Sequence, residues 1–182
     1  KKKTGTNKKK AMWTMNLAYP VSSLEDWAQL VDRQAASAKD QGAEIFLMPE
    51  YSAAHWLHFI PRNISGPEQL QRMTAFAAPA TALVTDIAKK HNILVVSGSF
   101  SVPAPELDPP CLNRAHIHFP DGKMLTQDKL CLTPFEKDPN DWNLSAGSVL
   151  TLFDWKGYKI VVAICLDIEL PALSARMAGL DI

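Results

Sequence analysis

The apolar positions of this chain fall into two rhythms. Short, nearly continuous runs, each closed by a turn signal, occur at 12–19 (before Pro20), at 44–48 (before Pro49), at 93–100 and at 160–164 (before Cys165). They are too short for helices and rich in β-branched or aromatic residues, so they predict buried strands. Between them the spacing turns helical. Leu24, Trp27, Ala28, Leu30, Val31, Ala35 and Ala38 share one face, behind the capping box Ser22-Ser23-Leu24-Glu25 and ahead of Gly42. Pro67–Phe76 and Thr81–His91 predict further helix, the latter with Leu83, Val84, Ile87 and Ala88 on one side. Residues 51–66 have no period and predict a loop or short helix. Residues 113–119 and 124–128 alternate around Pro120-Asp121-Gly122-Lys123 and predict a hairpin. A last hairpin is expected from 149–155 and 158–164. A helix is expected to open at about Glu169, with Pro171 in its first turn. The order strand–helix–strand–helix–strand followed by hairpins is an α/β layout.

Composition changes this picture little. The 182 residues are 47% hydrophobic and 21% charged, values ordinary for a folded domain. The formal net charge of zero hides an asymmetry. The first ten residues carry six lysines and no acid, leaving 13 basic and 19 acidic residues in 11–182, a net charge of −6. Residues 1–10 read as a lysine-rich tail or linker and 11–182 as one domain. An acidic body argues against a nucleic-acid partner, and no apolar run suggests a membrane partner. Three cysteines, Cys111, Cys131 and Cys165, cannot all pair and show no zinc spacing, which suggests reduced thiols and a cytoplasmic setting. His116 and His118 share a strand face but lack an evident third ligand, so no metal is expected.

Three residues stand apart because each follows a predicted strand, where α/β folds assemble their sites. They are the carboxylate Glu50, the ammonium Lys129 and the thiol Cys165. Together they supply a nucleophile, a proton carrier and a cation for developing negative charge. A thiol at a strand-to-helix elbow beside an ammonium is expected to have a depressed pKa. Asp167 and Glu169 are expected to cap the helix and hold the elbow.

The tracts Met48-Pro49-Glu50-Tyr51, Lys129-Leu130-Cys131-Leu132-Thr133-Pro134-Phe135-Glu136-Lys137-Asp138 and Cys165-Leu166-Asp167-Ile168-Glu169-Leu170-Pro171 resemble the Glu, Lys and Cys blocks of the nitrilase superfamily, the carbon–nitrogen hydrolases. Trp142-Asn143-Leu144-Ser145-Ala146-Gly147 is similar to the family as well. The resemblance implies an α-β-β-α sandwich that assembles as a homodimer or higher homo-oligomer, without metal or organic cofactor. It implies hydrolysis of a small amide or nitrile through a thioester on Cys165. Glu50 would be general base, Lys129 and the backbone N–H of Leu166 the oxyanion hole, and Glu136 a second glutamate that positions substrate. An acyltransferase using the same thioester, or an inactive binding relative, are the alternatives. Family members often have an aromatic residue where Leu166 stands, and they continue past the cysteine block. The C-terminal part of the fold is therefore expected to be incomplete here, leaving residues 1–182 alone prone to instability or aggregation.

Overall fold

A computed structural model describes residues 9–12 and 19–182. The strand expected over 12–19 therefore lies mostly outside the described residues. What is seen instead is an earlier strand, β1 (Lys9–Met12), which straddles the end of the lysine-rich run. It pairs in parallel with β2 (Ala43–Leu47), matching Ala11 with Phe46 and Met12 with Leu47. β1 forms one edge of a five-stranded sheet.

β3 (Leu94–Pro103) lies parallel to β2, and β4 (Cys111–His118) and β5 (Met124–Asp128) follow antiparallel, giving the order β1-β2-β3-β4-β5. β3 is buried along all but its last residue because both faces of the sheet are covered. Val95 and Phe100 face α1 (Leu24–Asp40) and α3 (Ala77–His91), packing with Trp27, Val31, Val84 and Ile87. Leu94 and Val96 face the other way, with Ile117 and Phe119, against Phe153. Phe153 belongs to β6 (Leu152–Trp155), which pairs with β7 (Tyr158–Val161) as a separate two-stranded sheet. Lys156 and Gly157, both at positive φ (49° and 82°), make the tight turn whose twist suits a hairpin. The result is helices on a sheet on a second, small sheet, the partial α-β-β-α arrangement.

Details differ from the expectations for local reasons. Ser23 is the N-cap of α1. Its hydroxyl accepts from Asp26 N–H (3.1 Å) while the Asp26 carboxylate accepts from Ser22 N–H (2.9 Å). β7 stops at Val161. Cys165–Glu169 is a 3₁₀ turn, so α5 (Pro171–Ala178) opens at the proline rather than at Glu169. The remaining helices are α2 (Gly66–Thr74) and α4 (Pro134–Lys137). Large apolar residues left exposed gather after β5, at Val149, Leu152, Ile168, Leu170 and Ile182. Among the described residues no helix is long and apolar enough to cross a membrane.

Candidate active site

The loop after β2 owes its path to Gly98. β3 bulges between Val96 and Ser99, and Gly98 sits there at φ +68°. A Cβ on it would stand 1.9 Å from the Pro49 carbonyl oxygen, so only glycine lets the Glu50 loop cross the sheet at this height. The loop is then pinned. Tyr51 N–H donates to Ser99 Oγ (3.3 Å) and Ser52 Oγ donates to the Ser97 carbonyl (2.7 Å). Tyr51 itself adopts φ 51° before the 3₁₀ segment Ser52–His58.

Lys129 follows β5 directly. Its N–H donates to the Asn113 carbonyl (2.9 Å) and its carbonyl accepts from Gly147 N–H (2.8 Å), within the Trp142–Gly147 tract. The side chain is 1% exposed, and its ammonium donates to Glu50 Oε1 and to Glu136 Oε2, each at 2.8 Å. Burial works against the charged ammonium, but its bonds to the two carboxylates prevail and hold its pKa above the ordinary lysine value.

Glu136 is fully buried in the first turn of α4 and collects donors on both oxygens. Thr133 gives Oε2 its N–H (2.8 Å) and its hydroxyl (2.7 Å). Tyr51 donates its hydroxyl to Oε1, and so does Asn113 Nδ2 (3.0 Å). Burial alone would raise this carboxyl, yet Lys129, Tyr51 and Thr133 bring it below the ordinary value, so it is ionised near neutrality. Burial and the Glu136 carboxylate push the Tyr51 phenol far up, so it stays a neutral donor.

Cys165 follows β7 with φ 48° and is exposed. Its thiol feels the charge of the Glu50 carboxylate, the Lys129 ammonium and the Leu166 N–H. The expectation of a depressed pKa is not met. Desolvation and the Glu50 charge raise the thiol more than Lys129 and the Leu166 N–H lower it. Two carboxylates around one ammonium leave the neighbourhood net negative, and a five-residue 3₁₀ turn supplies little dipole to offset that. Cys111, by contrast, is buried and pushed up to about 11 by that burial.

All five residues singled out in the sequence, Glu50, Lys129, Glu136, Cys165 and Leu166, thus converge on one locality. Sequence reasoning missed Asn113, Tyr51 and Thr133. Asn113 is the pivot: its Nδ2 also donates to Glu50 Oε1 (3.1 Å), joining both carboxylates from within β4. An asparagine inside a strand is uncommon enough to have been a signal. Asp167 does hold the elbow, as expected, and it reaches further. It is 1% exposed and accepts from Ile164 N–H (3.1 Å), Leu130 N–H (3.0 Å) and Cys131 N–H (2.8 Å). His118 Nδ1 bonds to Thr85 Oγ1 (2.9 Å) on the helix side of the sheet. Among the described residues no group of three or more His, Cys, Asp or Glu is placed to hold a metal ion.

Comparison with known proteins gives this geometry a family. The carbon-nitrogen hydrolase profile matches residues 11–182. A probable hydrolase of Bacillus subtilis (strain 168), YhcX, is 32% identical over 159 residues, covering 87% of this chain and 30% of that protein. The chain thus spans under a third of that relative. Among solved structures, an amidase from Nesterenkonia sp. AN1, with the acetamide moiety of fluoroacetamide added covalently at its active-site cysteine, superposes with a TM-score of 0.68 at 20% identity. That match covers 89% of this chain and 58% of the amidase. Saccharomyces cerevisiae Nit3, of branch 10 of the nitrilase superfamily, gives a TM-score of 0.61 at 22% identity, over 88% of this chain and 57% of Nit3. The glutamine-dependent NAD+ synthetase from Acinetobacter baumannii gives 0.67 at 20% identity, over 90% of this chain and 29% of the synthetase. The fold is therefore that of the nitrilase superfamily, and the chain belongs to the carbon–nitrogen hydrolase family.

Proposed function

We propose that the protein hydrolyses a non-peptide C–N bond of a small amide, or the corresponding nitrile, through a thioester on Cys165. One observation carries this reading: the Glu50 carboxylate is bonded to the Lys129 ammonium, and both charges act on the Cys165 thiol. A thiol with a raised pKa is not a preformed thiolate, so attack needs a base at hand. Glu50 takes the thiol proton as sulfur bonds to the carbonyl carbon. Lysine has three N–H donors. Two are held by Glu50 and Glu136, which leaves one for the developing oxyanion beside Leu166 N–H. As the C–N bond breaks, Glu50 returns the proton to the departing amine. Water then attacks the thioester, giving one proton to Glu50. The acid is released and the thiol is restored. Glu136, fully buried, fixes the ammonium and so positions substrate through Lys129.

The test combines turnover with thiol titration. Ammonia release from a panel of short aliphatic amides is expected from the unmodified protein and not from Cys165→Ala. A slowly deacylating substrate should leave an acyl adduct on Cys165 by intact mass. Alkylation of Cys165 against pH should give a midpoint above the ordinary thiol value of about 8.5. Glu50→Gln should lower that midpoint, because it removes the charge that opposes the thiolate, while abolishing turnover. Undiminished turnover by Cys165→Ala, or a midpoint indifferent to Glu50→Gln, refutes the assignment.

A further inference from the structure

The cysteine elbow and the lysine loop come from different sheets, the two-stranded β6–β7 and the five-stranded one. Catalysis of the kind proposed above needs their spacing fixed to a fraction of an ångström. We infer that Asp167 is a positioning residue whose buried carboxylate bolts the cysteine elbow to the lysine loop and so sets the separation of Cys165 from Lys129. The inference rests on the proposed function.

Four facts support it. Two of the three N–H groups that Asp167 accepts belong to Leu130 and Cys131, some 36 residues away and immediately after Lys129. A residue that only capped its own turn would bond within that turn. The Ile164 peptide, immediately before Cys165, is gripped from both ends. Its N–H donates to Asp167 Oδ2 (3.1 Å), and its carbonyl accepts from Asp167 N–H (3.1 Å). Cys165 itself occupies the left-handed region at φ 48°, a conformation that persists only when its surroundings over-determine it. The carboxylate is 1% exposed, so the clamp works out of competition with water.

The variants are Asp167→Asn, Asp167→Glu and, as a control on the same turn, the exposed Glu169→Gln, with Cys165→Ala as the reference for the reaction. Asparagine keeps the shape but sets an NH₂ group against backbone donors. A loosening of about 1 Å is expected to cut kcat roughly 100-fold with KM changed by no more than about threefold. The Cys165 alkylation midpoint should fall toward that of an ordinary thiol as sulfur moves away from Glu50. Asp167→Glu, which keeps the acceptors, should retain more kcat than Asp167→Asn, and Glu169→Gln should match the parent. If Asp167→Asn lowers only Tm, with kcat and the alkylation midpoint unmoved, Asp167 is structural and the inference fails. A higher kcat in Asp167→Asn than in Asp167→Glu also overturns it. Turnover that survives Cys165→Ala removes the proposed reaction and this inference together. A dead Cys165→Ala with a fully active Asp167→Asn removes only the inference.

Discussion

Gly98→Ala touches none of the reacting groups, yet it should disable the site. Alanine would place a Cβ 1.9 Å from the Pro49 carbonyl oxygen and 2.8 Å from its carbonyl carbon. To reach even 3.0 Å the oxygen must retreat by about 1.1 Å, and both atoms are backbone, with no flexible side chain to swing aside. The substitution also holds an L residue at φ +68°, which costs about 1–2 kcal/mol. The fold can respond by opening the β3 bulge or by lifting the loop that carries Glu50. Tyr51 N–H and Ser52 Oγ anchor that loop to Ser99 and Ser97, so lifting it strains both bonds. A displacement of about 1 Å at a reacting carboxylate is worth roughly 100-fold in rate. Lost anchors and backbone strain together should cost about 2–4 kcal/mol of stability. Amide turnover and a thermal melt on the same preparation read both. Parental kcat and Tm in Gly98→Ala would show that the β3 bulge does not set the height of Glu50.

Two other outcomes follow from buried charge. Glu136→Gln replaces a carboxylate that accepts from Lys129, Thr133, Asn113 and Tyr51 with an amide that must oppose donor to donor on one side. It should destabilise by about 3 kcal/mol, roughly 10 °C in Tm, and calorimetry that finds no loss would contradict the ionised, fully bonded state described for Glu136. His116 and His118 are held near pKa values of about 4 and about 3, by burial first and then by a neighbouring positive or ionisable group. Their folded values lie below the unfolded 6.5, so the neutral rings stabilise the fold fully above pH 6.5. That contribution is lost as pH falls toward 4, by about 2 kcal/mol for each at pH 5. Melts from pH 7 to pH 4.5 should show this decline, and His118→Gln should flatten it; an unchanged slope in the variant would count against the assignment.

The parts of this fold legible in the sequence were those written in local pattern. β2, β3 and the β4–β5 hairpin follow from short apolar runs and turn residues, and α1 from one apolar face. The three strand-end residues were legible for the same reason, since a strand that stops abruptly advertises what comes next. Gly98 could have been read too, because a glycine interrupting Ile93–Phe100 marks a bulge or a close backbone approach. The clamp from Asp167 to Leu130 and Cys131 could not. Its partners lie some 36 residues off, and nothing in either segment's own sequence names the other. The thiol's pKa was misjudged because the local view weighs a helix start and one ammonium. The decisive contributions are desolvation and the charge of Glu50, which only the assembled site brings to the sulfur.

That misjudgement bears on how such a site can work. One buried ammonium between two carboxylates leaves one negative charge over. A fully ionised thiol would add a second, which the Glu50 charge opposes. A resting thiolate is thus disfavoured, and with it unproductive alkylation or oxidation of an exposed cysteine. Attack on a carbonyl changes the balance. In the reaction proposed, the sulfur would give up its proton to Glu50 as the negative charge appears on the substrate oxygen, beside the third Lys129 N–H and the Leu166 N–H. The total charge stays constant while its position moves to where donors already point. An arrangement of this kind favours the transition state over the free thiolate. The many donors on Glu136 fit the same proposal: ionised and fixed, it shares the Lys129 ammonium with Glu50.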